Sequence, residues 1–302
     1  MRSLIDKKAE IKDALIADVR DKRAQWDFDT PFELAYKKLA FFNETIQNSL
    51  RFENSEFLVA LHWLHTYGYT KGHLSDNVRL YRGRIYKNSE GEATLPFLGY
   101  NKEKSFVPPR KYCKSGRANY EHKPCLYAAE DIETAVRETK ASDQQIVSVA
   151  EIKLTKPFLI IDLCGTKINS RHTLTARENL IIKALMGYLF AEPTTESDNP
   201  DEYILTQFLA EYFHQLPSCF RTPEFKTLMN VVALHRNYEE RYGADFIEDT
   251  YNRYTTEYDG IAYMSRFTGN KNYCIFNYHL CEPINSKLYV VHQGKVVKNE
   301  NA

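Results

Sequence analysis

The chain has 302 residues, 43% of them hydrophobic and 26% charged, which suits a globular fold with one large core or two modest ones. Forty Lys and Arg balance forty Asp and Glu, so no net field draws the chain to nucleic acid or an anionic membrane surface. No run of about 18 apolar residues exists to span a bilayer, and the start MRSLIDKKAEIKD lacks an apolar signal region, so a cytoplasmic location is expected.

Ile5, Ile11, Leu15, Ile16 and Val19 recur near helical spacing and predict a first helix. Thr30-Pro31 reads as a cap followed by Pro at the first helical position, with Glu33 at N3. That second helix carries Phe32, Leu34, Ala35, Leu39, Phe42 and Ile46. A third spans 56–67 and stops at Gly68. Residues 1–75 are therefore expected to be a helical N-terminal region.

From Asp76 the pattern changes. VRLYRGRIY alternates and is rich in strand formers. Residues 87–116 read as a loop longer than ordinary connections, hence a functional loop or an ordered excursion. A short strand follows at 124–128, then a helix from Glu130-Asp131 through Arg137. Strands are predicted at 145–154 and 157–163, and helices at 175–190 and 201–215. The stretch 217–258 reads as a helical, Tyr-rich insertion. DGIAYMS (259–265), NYCIFNY (272–278) and KLYVVHQ (287–293) return to strand character. Antiparallel-looking strands among irregularly placed helices predict an α+β fold, with residues 76–295 as one unit.

The segment RANYEHKPCLYAAEDIETAVRE places Arg117, Tyr127 and Glu138 at steps of ten and eleven residues. A cation, a ring and a carboxylate suit a phosphate-bearing substrate on which positive charge develops. Arg82 and Arg84, two apart on a strand, share a face. The planar fork of Arg matches pyrophosphate oxygens. Tyr127 reads either as core packing or as a ring on the substrate with a reachable hydroxyl, and Glu138 as either a solvated or a site-facing helix residue. Ser265 ends a strand, as a turn residue or a phosphate contact. His62 and His65 stand at i, i+3 without a third ligand, so no metal is expected. The six Cys form no C-x-x-C and read as reduced thiols. Phosphate-binding Gly-rich loops and a nucleophile elbow are absent.

LYRGR (80–84), GRANYEHKPCLYAAEDIETAVRE (116–138), YILTQFLAEYF (203–213) and DGIAYMSRFTGNKNYCIF (259–276) together resemble the RES family, named for its Arg, Glu and Ser. The resemblance covers about 78–292 and leaves out 1–75. It implies an ADP-ribosyltransferase-like mixed sheet with flanking helices. It also implies consumption of NAD+ as substrate, by phosphorolysis with inorganic phosphate as co-substrate or by hydrolysis, without a bound cofactor. Transfer of ADP-ribose to a protein and a non-catalytic sensor of NAD+ or ADP-ribose are the alternatives. Many such proteins are toxins of bacterial toxin–antitoxin pairs, so an antitoxin partner is implied as well. The family's residues carry over onto Arg117, Tyr127 and Glu138 as catalytic residues, and onto Arg82 and Ser265 as substrate-binding residues. The extra helical part leaves oligomeric assembly open.

Overall fold

The computed structural model describes residues 7–19, 26–47, 56–66, 68–87, 95–169, 171–192, 203–219 and 257–299. Helices α1 (Lys8–Val19), α2 (Asp29–Gln47) and α3 (Glu56–Thr66) come first. Helix α1 buries Ile11, Leu15 and Val19, and α2 buries Phe32, Ala35, Tyr36, Leu39, Phe42 and Ile46 at helical spacing. The α2 cap differs from the expected Thr30. The Asp27 carboxylate accepts from the Asp29 N–H at 2.9 Å, and the Thr30 hydroxyl itself donates to Asp27. Asp27 is the better acceptor, and the helix starts at Asp29. Glu33 pairs with Lys8 on α1 instead of closing a capping box. Helix α3 ends as expected at Gly68, which takes φ +72° and bonds back to His65.

One mixed sheet of nine strands follows, in the order β1-β5-β6-β7-β3-β2-β4-β8-β9. The strands are β1 (Lys71–Leu74), β2 (Arg79–Ile85), β3 (Leu126–Ala129), β4 (Ile146–Leu154), β5 (Phe158–Asp162), β6 (Gly260–Met264), β7 (Lys271–Ile275), β8 (Cys281–His292) and β9 (Lys295–Lys298). Among these nine strands only β5 and β6 pair in parallel. Helices α4 (Ile132–Glu138), α5 (Leu174–Ala191) and α6 (Ile204–Cys219) complete the α+β architecture. Strand β1 lies inside the stretch expected to be helical. KGHL has little strand propensity, and four register pairs with β5 hold it extended. The insertion at 217–258 falls mostly outside the described residues.

Alternation divides the sheet into two faces. Ile161, Ile261 and Cys274 join α1, α2, α3, α5 and α6 in one hydrophobic cluster. Val147 and Val149 lie with Ala135 and Val136 of α4 in another. Leu80, Ile152, Ile160 and Tyr273 belong to a third cluster, covered in part by Phe106 and Val107 of the long 87–116 loop. Its described part, 95–116, is an ordered excursion. The Tyr100 N–H bonds Ser148 Oγ at 2.9 Å, and the Gly99 N–H bonds Ser286 Oγ at 3.0 Å.

Candidate active site

Strand β2 pairs with β4 along its whole length, but with β3 only at Tyr81–Ala129. Beyond that pair the two strands part. The gap opens a cavity of about 280 Å³, lined by Arg82 and Gly83 of β2, Tyr127 of β3, Arg117, Glu138 and Asn272. Tyr81, Tyr263 and Phe267 add aromatic walls. Helix α4 sits directly on β2, and Gly83 permits it. A Cβ at Gly83 would stand 2.3 Å from the Ala135 carbonyl oxygen.

Glu138 is the last residue of α4. The helix begins where Asp131 accepts the Thr134 N–H and the Thr134 hydroxyl, both at 2.8 Å. Seven residues later the Glu138 carboxylate turns into the cavity. One oxygen, Oε1, accepts from Ser265 Oγ at 2.7 Å and from Asn272 Nδ2 at 2.6 Å. Among the described residues the other oxygen takes no hydrogen bond. Two donors on one oxygen fix the carboxylate's direction.

Arg117 rides on a tight turn. The Gly116 N–H bonds the Asn119 carbonyl at 2.9 Å. Tyr127 holds this turn from below: its hydroxyl accepts the Ala118 N–H and donates to Asn119 Oδ1, both at 2.8 Å. The expected reachable hydroxyl is therefore taken up, and the ring is what Tyr127 presents to the cavity. Burial, reinforced by Cys125 and Cys274, pushes the phenol well above its usual range, so it stays neutral. From above, Gln207 on α6 reaches the same turn. Its Nε2 lies 2.7 Å from Ser115 Oγ, 2.8 Å from the Gly116 carbonyl and 3.0 Å from the Asn119 carbonyl. The Arg117 guanidinium donates to the Phe190 carbonyl near the end of α5.

Arg82 faces the same cavity differently. Its Nη1 is buried and has no hydrogen-bond partner among the described residues. Burial, then the charge of Arg84, pushes its pKa down to about 10. Arg84 goes elsewhere, bonding the Lys104 carbonyl and lying 5.0 Å from the Tyr100 ring centroid.

The cavity wall thus brings together Arg82, Arg117, Tyr127 and Glu138, and Ser265 touches it through Glu138. Besides donating to Glu138, Ser265 Oγ accepts the Phe267 N–H at 3.2 Å. Asn272 and Gln207 were not singled out from sequence. Gln207 lies inside an apolar run and Asn272 heads one; both are 3% exposed, and burial of an amide demands partners. His65 bonds the Tyr258 hydroxyl at 2.9 Å, and no group of three or more metal-ligating side chains exists among the described residues. No helix among them is long and apolar enough to cross a membrane.

The RES domain family model matches residues 94–223 of the chain. Arg117, Tyr127, Glu138 and Gln207 lie inside the match, and Arg82, Ser265 and Asn272 outside it. No curated protein and no solved structure matches the chain.

Proposed function

We propose that this chain, which carries a RES domain, cleaves the nicotinamide–ribose bond of NAD+ as a phosphorylase or glycohydrolase. The observation that carries the reading is an opposition of charges across one cavity. Arg82, whose buried Nη1 has no partner among the described residues, lines the same walls as a Glu138 carboxylate aimed by two donors. An unpaired buried cation is costly, and a pyrophosphate satisfies it.

In the reaction the C1′–N bond breaks and its electron pair leaves with nicotinamide. The ribose becomes oxocarbenium-like. The Glu138 oxygen left without a hydrogen bond takes a ribose hydroxyl, and the carboxylate stabilises the developing positive charge in a site shielded by aromatic walls. An oxygen of phosphate or water then bonds to C1′. Water loses a proton and gives ADP-ribose; phosphate gives ADP-ribose 1″-phosphate. Arg82 and Arg117 hold the pyrophosphate, and the Tyr127 ring packs on the nicotinamide ribose. Ser265 and Asn272 keep Glu138 in place. Depletion of NAD+ by such a reaction fits a toxin or defence effector held in check by a protein antitoxin.

Glu138→Gln tests the assignment. It keeps a hydrogen-bonding side chain of the same shape but removes the charge. Turnover is expected to fall by about a hundredfold or more while NAD+ affinity stays near that of the wild type, the mark of an interaction made in the transition state. Unchanged turnover in this variant excludes Glu138 from the chemistry.

A further inference from the structure

A second, larger cavity of about 480 Å³ lies on the other side of the segment that carries Ser265. Tyr263 and Phe267 line the first cavity, whereas Met264, Ser265 and Arg266 line the second. Its remaining walls come from two parts of the chain. Helix α1, outside the RES match, supplies Leu15 and Val19, and the β5–α5 connection and α5 supply Thr166 and Tyr188.

The walls sort by chemistry. Leu15, Val19 and their neighbours make an apolar interior. Thr166 is 7% exposed, and its hydroxyl is buried with no hydrogen-bond partner among the described residues. Such a hydroxyl costs free energy until a ligand atom meets it. At the mouth, the Arg266 guanidinium lies 4.4 Å from the Tyr188 ring centroid, a flat cationic platform. It forms no ion pair with a carboxylate among the described residues. The acids nearest Tyr188 are engaged: Glu10 accepts from the Tyr188 hydroxyl at 3.4 Å, and Glu192 pairs with Lys7 at 2.6 Å. Gly165 and Gly269, at φ +59° and +76°, leave open space where side chains would stand, so a ligand can approach the backbone closely.

We infer that this cavity is a second ligand site, separate from the Glu138 cavity, that takes a nucleoside phosphate. The base enters the apolar interior, where Thr166 meets a polar edge, and the phosphate rests on Arg266. The inference does not depend on the reaction proposed above, because none of Arg82, Arg117, Tyr127 and Glu138 lines this cavity. Since Ser265 forms part of its wall and also donates to Glu138, a ligand here sits one residue from the carboxylate.

The probe is ADP, titrated calorimetrically into the full-length wild type and into Arg266→Ala, Thr166→Val and Arg82→Ala, with thermal melts to confirm folding. Arg266 is exposed and Thr166→Val is isosteric, so the folds are expected to hold. The expected result is a binding event that weakens about tenfold in Arg266→Ala and several-fold in Thr166→Val, and that persists in Arg82→Ala, where any ADP held in the Glu138 cavity is released. Three results overturn the inference: no ADP binding to the wild type at millimolar concentration, wild-type affinity in Arg266→Ala, or loss in Arg82→Ala equal to that in Arg266→Ala. The last would place ADP in the Glu138 cavity instead.

Discussion

Arg82 is the residue whose surroundings make least sense without a ligand. A guanidinium nitrogen is buried, no carboxylate among the described residues pairs with it, and the neighbouring charge is Arg84. Structure alone would do better with an apolar side chain of the same length. Arg82→Met is therefore expected to raise stability by ~1 kcal/mol, seen as a higher Tm, while abolishing NAD+ binding. A variant that both loses stability and keeps binding would show that Arg82 serves the fold. The pKa of about 10 adds a pH test. The native state holds this proton less tightly than the unfolded chain does. Above about pH 10 the unfolded chain therefore binds the extra proton, so this residue's contribution to stability rises with pH there. Ligand binding runs the other way, because the anion needs the charged form. ADP-ribose affinity is expected to fall as pH climbs from about 8 towards 10.5, and Arg82→Met should lack that part of the dependence. The sequence put Arg82 and Arg84 on one strand face but gave no sign that Arg84 would leave for Tyr100. That choice belongs to Tyr100 and Lys104, well beyond the strand's own local pattern.

Elements position the site by what they fail to pair as much as by what they pair. Strands β2 and β3 share one register pair, and the cavity lies where the ladder stops. Most of these elements were readable locally: α4 from Asp131 and its apolar face, β2 from its alternation, α3 from Gly68. Strands β1 and β9 were not, because KGHL and KVVK are short, largely exposed edge pieces that exist through pairing with β5 and β8. The parting of β2 from β3 leaves no local mark either. Helix α6 matters to the site through Gln207, whose amide clamps the turn that bears Arg117. Gln207→Leu leaves two turn carbonyls without this donor, a loss of about 1–3 kcal/mol. It should raise KM for NAD+ more than it lowers kcat, since Glu138 is held from β7 and Ser265 and not from α6. Equal loss in both parameters would mean that the turn also orients the reacting bond.

At the scale of the molecule, the N-terminal helices share one core with α5, α6 and the sheet. Phe42, Phe57 and Leu64 belong to the same cluster as Leu185 of α5, Leu209 of α6 and Ile261 of β6. The helical character of this region was legible from spacing. Its sharing of a core was not, because apolar periodicity tells which face is buried and not against what. Leu64 is 0% exposed, and Leu64→Ala should cost about 2–5 kcal/mol. Helix content and sheet signal are expected to melt together in one transition. Two separated transitions would show that the N-terminal helices fold apart from the sheet.

The most direct measurement incubates the purified protein with NAD+, with and without inorganic phosphate, and resolves the products by chromatography with mass detection. The account predicts free nicotinamide together with ADP-ribose, or with ADP-ribose 1″-phosphate only when phosphate is present, and neither from Glu138→Gln. Intact NAD+ under every condition, from a protein shown to be folded, would contradict it.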